Sequence, residues 1–116
     1  MARDDSKFEA LFQHAPIVMY LWVQSGDVFD PILTAYNGAA VQLTGGRISE
    51  LKGKRVSDLY SNEPQIIDDF RRCFEERQPV FRRMRYQLRS DGQIGTFRVA
   101  YIPVDPASIV VAAVAE

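Results

Sequence analysis

The sequence predicts an α+β domain built around antiparallel strands, and three observations predict it. Apolar and β-branched runs bounded by turn residues mark two strands near the N-terminus and three near the C-terminus. Between them lies a stretch whose apolar residues recur at helical spacing. Asp91-Gly92 then joins two of the late strands as a hairpin, which makes that pair antiparallel.

The elements follow in order. Ser6 to His14 reads as a helix, because Ser6 and Glu9 form a Ser-x-x-Glu capping box and Phe8, Leu11 and Phe12 fall on one face. Pro16 stops it. Ile17 to Gln24 is a strand that is apolar at both alternating sets, Ile17/Met19/Leu21/Val23 and Val18/Tyr20/Trp22, so both of its faces need cover. Ser25-Gly26-Asp27 turns the chain, and a second strand ends near Tyr36, with Asp30-Pro31 predicting a bulge or an edge position. Asn37 is suited to cap a short helix carrying Ala39, Ala40 and Leu43, and Gly45 and Gly53 supply the positive-φ exits that end short helices. Asn62 and Pro64 predict the cap and first turn of a longer helix running to about Gln78. Its apolar face is Ile66, Ile67, Phe70, Cys73 and Phe74. Asp68/Arg72, Arg71/Glu75 and Arg72/Glu76 form an i,i+4 charge ladder on the other. After Pro79 come strands over Val80 to Arg89, Ile94 to Val104 and Ser108 to Val114, the last set off by Asp105-Pro106.

The 116 residues form one domain, with residues 1–15 as an N-terminal cap helix and 16–114 as the core, a size that removes roughly two thirds of the unfolded surface from water. A net charge of -1 with mixed signs gives no broad field for nucleic acid or anionic membrane, and Arg82, Arg83, Arg85 and Arg89 fall within a strand pattern rather than a tail. Neither nucleic-acid binding nor membrane contact is expected. Cys73 is the single cysteine, so no internal disulfide forms, and no apolar run approaches the roughly 20 residues of a membrane-spanning helix. The N-terminal Met-Ala-Arg-Asp-Asp leads into a charged amphipathic helix instead of a signal-peptide core, so the cytoplasm is the simplest compartment.

The run from Asn37 through Ala39-Ala40 to Gly45, followed by Glu50-Leu51-Lys52-Gly53, resembles the PAS sensory domain, and the resemblance covers nearly the whole chain from Phe8 to Val114. It implies a five-stranded antiparallel sheet of order 2-1-5-4-3, with the helices between strands two and three on one face and a ligand cavity, where one exists, between them. It also implies a signalling role, frequent dimerisation, and an effector such as a histidine kinase reached through a linker helix. The chain stops at Ala115-Glu116, where that linker would begin, as an excised piece would.

The residues that could carry chemistry point away from catalysis. His14 is the only histidine, lacks Cys or carboxylate neighbours at ligand spacing, and sits where it would meet the free carbonyls of the first helix. The long helix has no histidine, which argues against haem held in that way. Flavin-binding relatives carry an Asn-Cys-Arg-Phe-Leu-Gln-like segment after the glycine, where this chain has Lys54-Arg55-Val56-Ser57-Asp58-Leu59, which argues against flavin. Cys73 reads as a small core residue on an apolar helix face. There is no Gly-x-Ser-x-Gly and no phosphate-cradling Gly-rich loop, and the carboxylate pairs Asp4/Asp5, Asp68/Asp69 and Glu75/Glu76 read as surface.

Alternation assigns the sheet faces. Met84, Tyr86 and Leu88 in the third strand and Phe97, Val99 and Tyr101 in the fourth share an inner side turned toward the helices, and the PAS resemblance implies that this side and the helix bearing Ile66 and Phe70 enclose the cavity. These eight residues are the pocket candidates, and a packed core uses the same apolar stock. A one-residue slip would bring Arg85 and Gln87 inward and favour an anionic ligand. The first and last strands are apolar on both sides, so the outer face also needs cover; Phe8, Leu11, Phe12 and Ile102 are the candidates, with the N-terminal helix or a second copy of the domain as the covering element. The expected function is a sensory module that binds a small ligand or a partner and relays its state to an effector. The alternatives are a ligand-free dimerisation module and a small α+β enzyme using a buried Asp58 or Glu50.

Overall fold

The computed structural model describes residues 5–86 and 95–115, and the side chains of all of these except 5–8 and 86. Leu88 and the Asp91-Gly92 hairpin lie outside the described residues, as do the side chains of Ser6, Phe8 and Tyr86. The elements are α1 (Asp5–His14), β1 (Val18–Val23), β2 (Ile32–Tyr36), α2 (Gly38–Thr44), a 3-10 turn (Arg47–Glu50), α3 (Val56–Tyr60), α4 (Pro64–Glu76), β3 (Val80–Tyr86), β4 (Gly95–Asp105) and β5 (Ser108–Ala115). The five strands form one antiparallel sheet of order β2-β1-β5-β4-β3. None of the described helices is long and apolar enough to cross a membrane.

The doubly apolar β1 and β5 are neighbours at the middle of this sheet, and their pairing explains their composition. Tyr20 opposes Val111 and Trp22 opposes Ile109 on the inner side, whereas Met19 opposes Ala112 and Leu21 opposes Val110 on the outer. The inner residues join a single core cluster with Phe97, Val99 and Tyr101 of β4, Val80 of β3 and Ile66, Phe70 and Cys73 of α4. β2 takes an edge, as Asp30-Pro31 predicts, but the bulge falls later: the register slips between Leu21/Ala35 and Trp22/Leu33, leaving Thr34 as the extra residue.

Asn37 ties this sheet to the helices. Fully buried, it caps α2 by accepting from the Ala40 N–H at 3.1 Å, accepts from the Met19 N–H at 3.1 Å, and donates to the Ile17 carbonyl at 2.8 Å. One amide thus satisfies backbone groups of β1 and α2 together. Gly45 leaves α2 at φ 62°, and Gly53 turns at φ 89° so that its N–H reaches the Leu33 carbonyl at 2.8 Å. The following residues run beside β2, with Leu33 donating to Lys54 at 2.9 Å and Val56 to Pro31 at 2.9 Å.

The long helix departs from the sequence expectation at both ends. Its N-cap is Glu63, with Pro64 in the first turn, and no side chain caps it; Asn62 is exposed one residue earlier. It ends at Glu76, where Arg77 takes the left-handed conformation at φ 55° and its guanidinium donates to the carbonyls of Asp105 (3.1 Å) and Pro106 (3.0 Å). The exposed ladder includes Arg72–Glu76 at 3.8 Å and an i,i+3 pair, Arg71–Asp68, at 4.0 Å. On α1 the expected single apolar face divides: Phe12 is buried, whereas Leu11 is 74% exposed.

Candidate functional site: core cavity and outer groove

Between the inner side of the sheet and α4 lies a partly open cavity of about 40 Å³. Five of the eight pocket candidates line it: Ile66 and Phe70 from α4, Met84 from β3, and Val99 and Tyr101 from β4. Phe97 is buried in the same core but is not in the wall. The side chain of Tyr86 and all of Leu88 lie outside the described residues. Tyr20, Trp22, Tyr60, Val111 and Ala113 complete the lining. Sequence reasoning placed β1 and β5 in the sheet without assigning either to the pocket; the strand order, which puts them opposite α4, was the available signal.

Aromatic rings fill most of this space. Phe70 meets Trp22 edge-on at 5.1 Å and Tyr101 edge-on at 5.2 Å, and Tyr60 lies 6.1 Å from Trp22. These geometries are the favourable tilted and T-shaped ones, so the rings hold one another in place. The longer β1–β2 connection adds another layer, with Phe29 edge-on to Phe74 at 5.2 Å and the Arg71 guanidinium over the Phe29 ring at 5.5 Å. Asp30 pins that connection to α3: its carboxylate accepts from the Ser57 N–H (2.9 Å) and hydroxyl (2.6 Å).

The polar chemistry of the site corrects the sequence reading. Asp69, grouped with Asp68 as a surface carboxylate, is fully buried on the inner side of α4, while Asp68 is exposed. Its carboxylate receives a two-pronged bond from the Arg82 guanidinium, Nε to Oδ2 and Nη2 to Oδ1 at 2.8 Å. Arg82 shares the inner parity of β3 with Val80 and Met84 and remains 35% exposed, so it reaches past the sheet rim to α4. The pKa of the Tyr101 hydroxyl stands far above the ordinary phenol range because of burial and then the charge of nearby Asp69. The Arg82 pKa is raised chiefly by its bond to Asp69. Arg85 remains exposed, so the slipped register that would turn it inward does not occur.

Cys73 lies one helical turn beyond Asp69, fully buried, with its thiol donating to the Tyr101 carbonyl at 3.5 Å. Burial pushes its pKa up to about 11, opposed by Arg77, so the reactive thiolate is suppressed at neutral pH. Asp58 and Glu50 are both exposed, and Asp58 accepts from the Arg55 N–H at 3.0 Å as a helix-start bond. Among the described residues no cluster of His, Cys, Asp and Glu could hold a metal ion.

The opposite face of the sheet carries an apolar groove of about 560 Å³. Cross-strand rows run over this face, Met19, Ala112, Ala100 and Phe81 in one and Leu21, Val110 and Ile102 in another, and of these Ala112, Ala100, Phe81 and Ile102 line the groove. Val110 and Ala112 are buried within these rows, but Phe81 is 76% and Val114 46% exposed. Arg83 and Arg98 stand directly opposite each other at one end of the groove, and Ile17 borders it. Ile102 lines it as well.

No family model matches the chain, and no curated protein matches it. Solved structures do. An RNA-binding light-oxygen-voltage receptor superposes with a TM-score of 0.72 at 17% identity over 97% of this chain, which spans 33% of that one. A domain of the sensory box sensor histidine kinase/response regulator from Geobacter sulfurreducens matches with a TM-score of 0.73 at 15% identity, covering 94% of this chain and 91% of that one. The PAS domain of an HTR-like protein from Haloarcula marismortui matches with a TM-score of 0.68 at 16% identity, covering 97% and 91%. With strand order, helix placement and these likenesses in agreement, the fold of this chain is the PAS fold.

Proposed function

We propose that this domain is a cytoplasmic sensory module of a signalling protein, in which a small, largely apolar ligand in the core cavity alters the packing of α4 on the sheet and so the outer face presented to an effector or a second copy. The observation that supports this most is the cavity itself. Its wall includes Phe70, whose neighbour on α4 is the buried Asp69, so the Asp69–Arg82 pair runs from beside the wall to the rim of β3. Signal transmission is then a population shift, driven by the ligand's preference for one packing of α4 over another. No catalytic step is assigned: the one buried carboxylate described is held by Arg82, and the thiol is buried and protonated. The downstream element fitting this role is a linker helix leading to a histidine kinase or comparable effector.

The residues present do not fit a flavin that forms a cysteine adduct. A cavity of about 40 Å³ is far below the roughly 300 Å³ at which pockets for drug-sized ligands begin. The contacting rings of Trp22, Phe70 and Tyr101 fill most of the space between α4 and the sheet. Cys73 points to the Tyr101 carbonyl, and the segment after Gly53 has no cysteine. A ligand of a few heavy atoms fits the cavity, and Met84, with its flexible thioether, is the wall element able to yield to a larger one.

A second reading, a ligand-free dimerisation or protein-interaction module, is favoured by the tight ring packing and by exposed Phe81 over the outer groove. A thermal-shift screen against metabolites separates the two. A ligand at a hundred times its dissociation constant adds about 2.7 kcal/mol and raises the melting temperature by about 10 °C. A uniformly flat screen, joined by self-association that Phe81→Ser abolishes, would replace the sensory reading with the dimerisation one.

A further inference from the structure

We propose that the Asp69–Arg82 ion pair is the link through which the state of the core cavity is passed to the outer face of β3. The proposal rests on reading the cavity as the input site, and it deepens that reading by naming the residues that carry the output.

The geometry supplies a continuous chain of contacts. Tyr101 is 1% exposed, its ring forms part of the cavity wall, and it packs edge-on at 5.2 Å against Phe70, the residue next to Asp69 on α4. Asp69 is fully buried and is held at both oxygens by the flat guanidinium of Arg82, a geometry that fixes angle as well as distance. Arg82 lies between Phe81 and Arg83, and both of these line the outer groove. A tilt of the Tyr101 ring therefore bears through Phe70 on the turn of α4 that carries the carboxylate, the carboxylate draws the guanidinium with it, and the strand carrying Arg82 shifts the two side chains that face outward. The coupling does not dissipate into solvent, because a buried carboxylate released from its partner would be an uncompensated charge in an apolar setting. A lysine at position 82 would keep the charge and lose the fixed fork.

The test needs no ligand. Val111 lies directly across from Tyr101 in the sheet and lines the cavity, so Val111→Ile fills part of the space with one methylene and imitates occupancy. Backbone amide spectra are recorded for that substitution in three backgrounds: the native chain, Arg82→Lys, and the neutral double variant Asp69→Asn/Arg82→Gln, which leaves no buried charge stranded. In the native background the amides of Phe70, Phe81 and Arg83 all shift. In the double variant the Phe70 response persists while that of Phe81 and Arg83 is lost, and Arg82→Lys falls between. Responses at Phe81 and Arg83 that are equal in all three backgrounds would overturn the proposal and assign the coupling to the β4–β3 backbone ladder; so would a native-background response confined to Phe70. Should the double variant fail to fold, the comparison of native chain with Arg82→Lys decides alone, with an undiminished β3 response overturning the proposal. A flat metabolite screen would leave this result standing, because the filling methylene replaces the ligand.

Discussion

At the β2–β1 edge of the sheet the helices are fastened by a neutral amide, Asn37; towards the β4–β3 edge they are fastened by an ion pair, Asp69–Arg82. Both side chains that originate the links are fully buried, yet their energetics differ. Asn37 satisfies backbone donors and acceptors that would otherwise be orphaned, at little desolvation cost. Asp69 carries a charge whose burial is tolerable only while Arg82 neutralises it, so the α4 side holds firmly when paired and becomes strongly unfavourable when unpaired. An amide latch of this kind makes a rigid scaffold, whereas a conditional charged latch beside a cavity suits an element that has to change state.

The largest expected effect breaks the charged side. Arg82→Ala should cost about 3–5 kcal/mol in denaturant unfolding, because it strands the Asp69 charge. Asp69→Leu/Arg82→Met should recover most of that loss. If the double variant were as unstable as the single one, the cost would lie in packing and the contrast with Asn37 would fail.

Next comes Asn37→Ala. It removes a cap and leaves the Met19 N–H and the Ile17 carbonyl without this partner, at a cost of about 2–3 kcal/mol. No substitution elsewhere is expected to rescue it, since the lost partners are backbone groups. Gly53→Ala should cost about 1–2 kcal/mol, from the left-handed backbone alone, because nothing lies within 4 Å of a Cβ placed there.

The smallest effect is alkaline and separates the two sides. Cys73 has its pKa raised from 9.0 to about 11 in the folded state, so the folded protein holds this proton where the unfolded chain releases it. The contribution is complete below pH 9.0 and is lost as pH climbs through about 11. The melting temperature of the native chain should therefore fall more steeply over that window than that of Cys73→Ala. Equal slopes would show that the thiol is not held in a desolvated site.

These two sides were unequally legible in the sequence. Asn37, the Ala39-Ala40 run, Gly45 and Gly53 act within a few residues of themselves, through caps and positive-φ turns, and such signals survive in one dimension. Strand parity likewise placed Phe97, Val99 and Tyr101 together, since a period of two needs no knowledge of the partner strand. Asp69 was misread because its partner lies 13 residues away on another element, and beside Asp68 in a helix rich in arginines it looks like any solvated acid. The same limit hid the Asp30–Ser57 tie, whose partners are 27 residues apart, and the placement of Phe29 on α4. Cavity size was illegible for a different reason: the same aromatic residues make a wall or a filled core depending on shifts smaller than a methyl group.

Trp22 offers the most direct test of the central claim, that the space between α4 and the sheet is a receiving site. It is the only tryptophan in the chain, it is 2% exposed, and its ring lines the cavity against Phe70 and Tyr60. Titration of the purified domain with small apolar compounds, read by tryptophan emission, should yield at least one compound that shifts the Trp22 signal saturably and raises the melting temperature in step. Emission that stays constant across the series, or a thermal gain without any change at Trp22, would contradict the account.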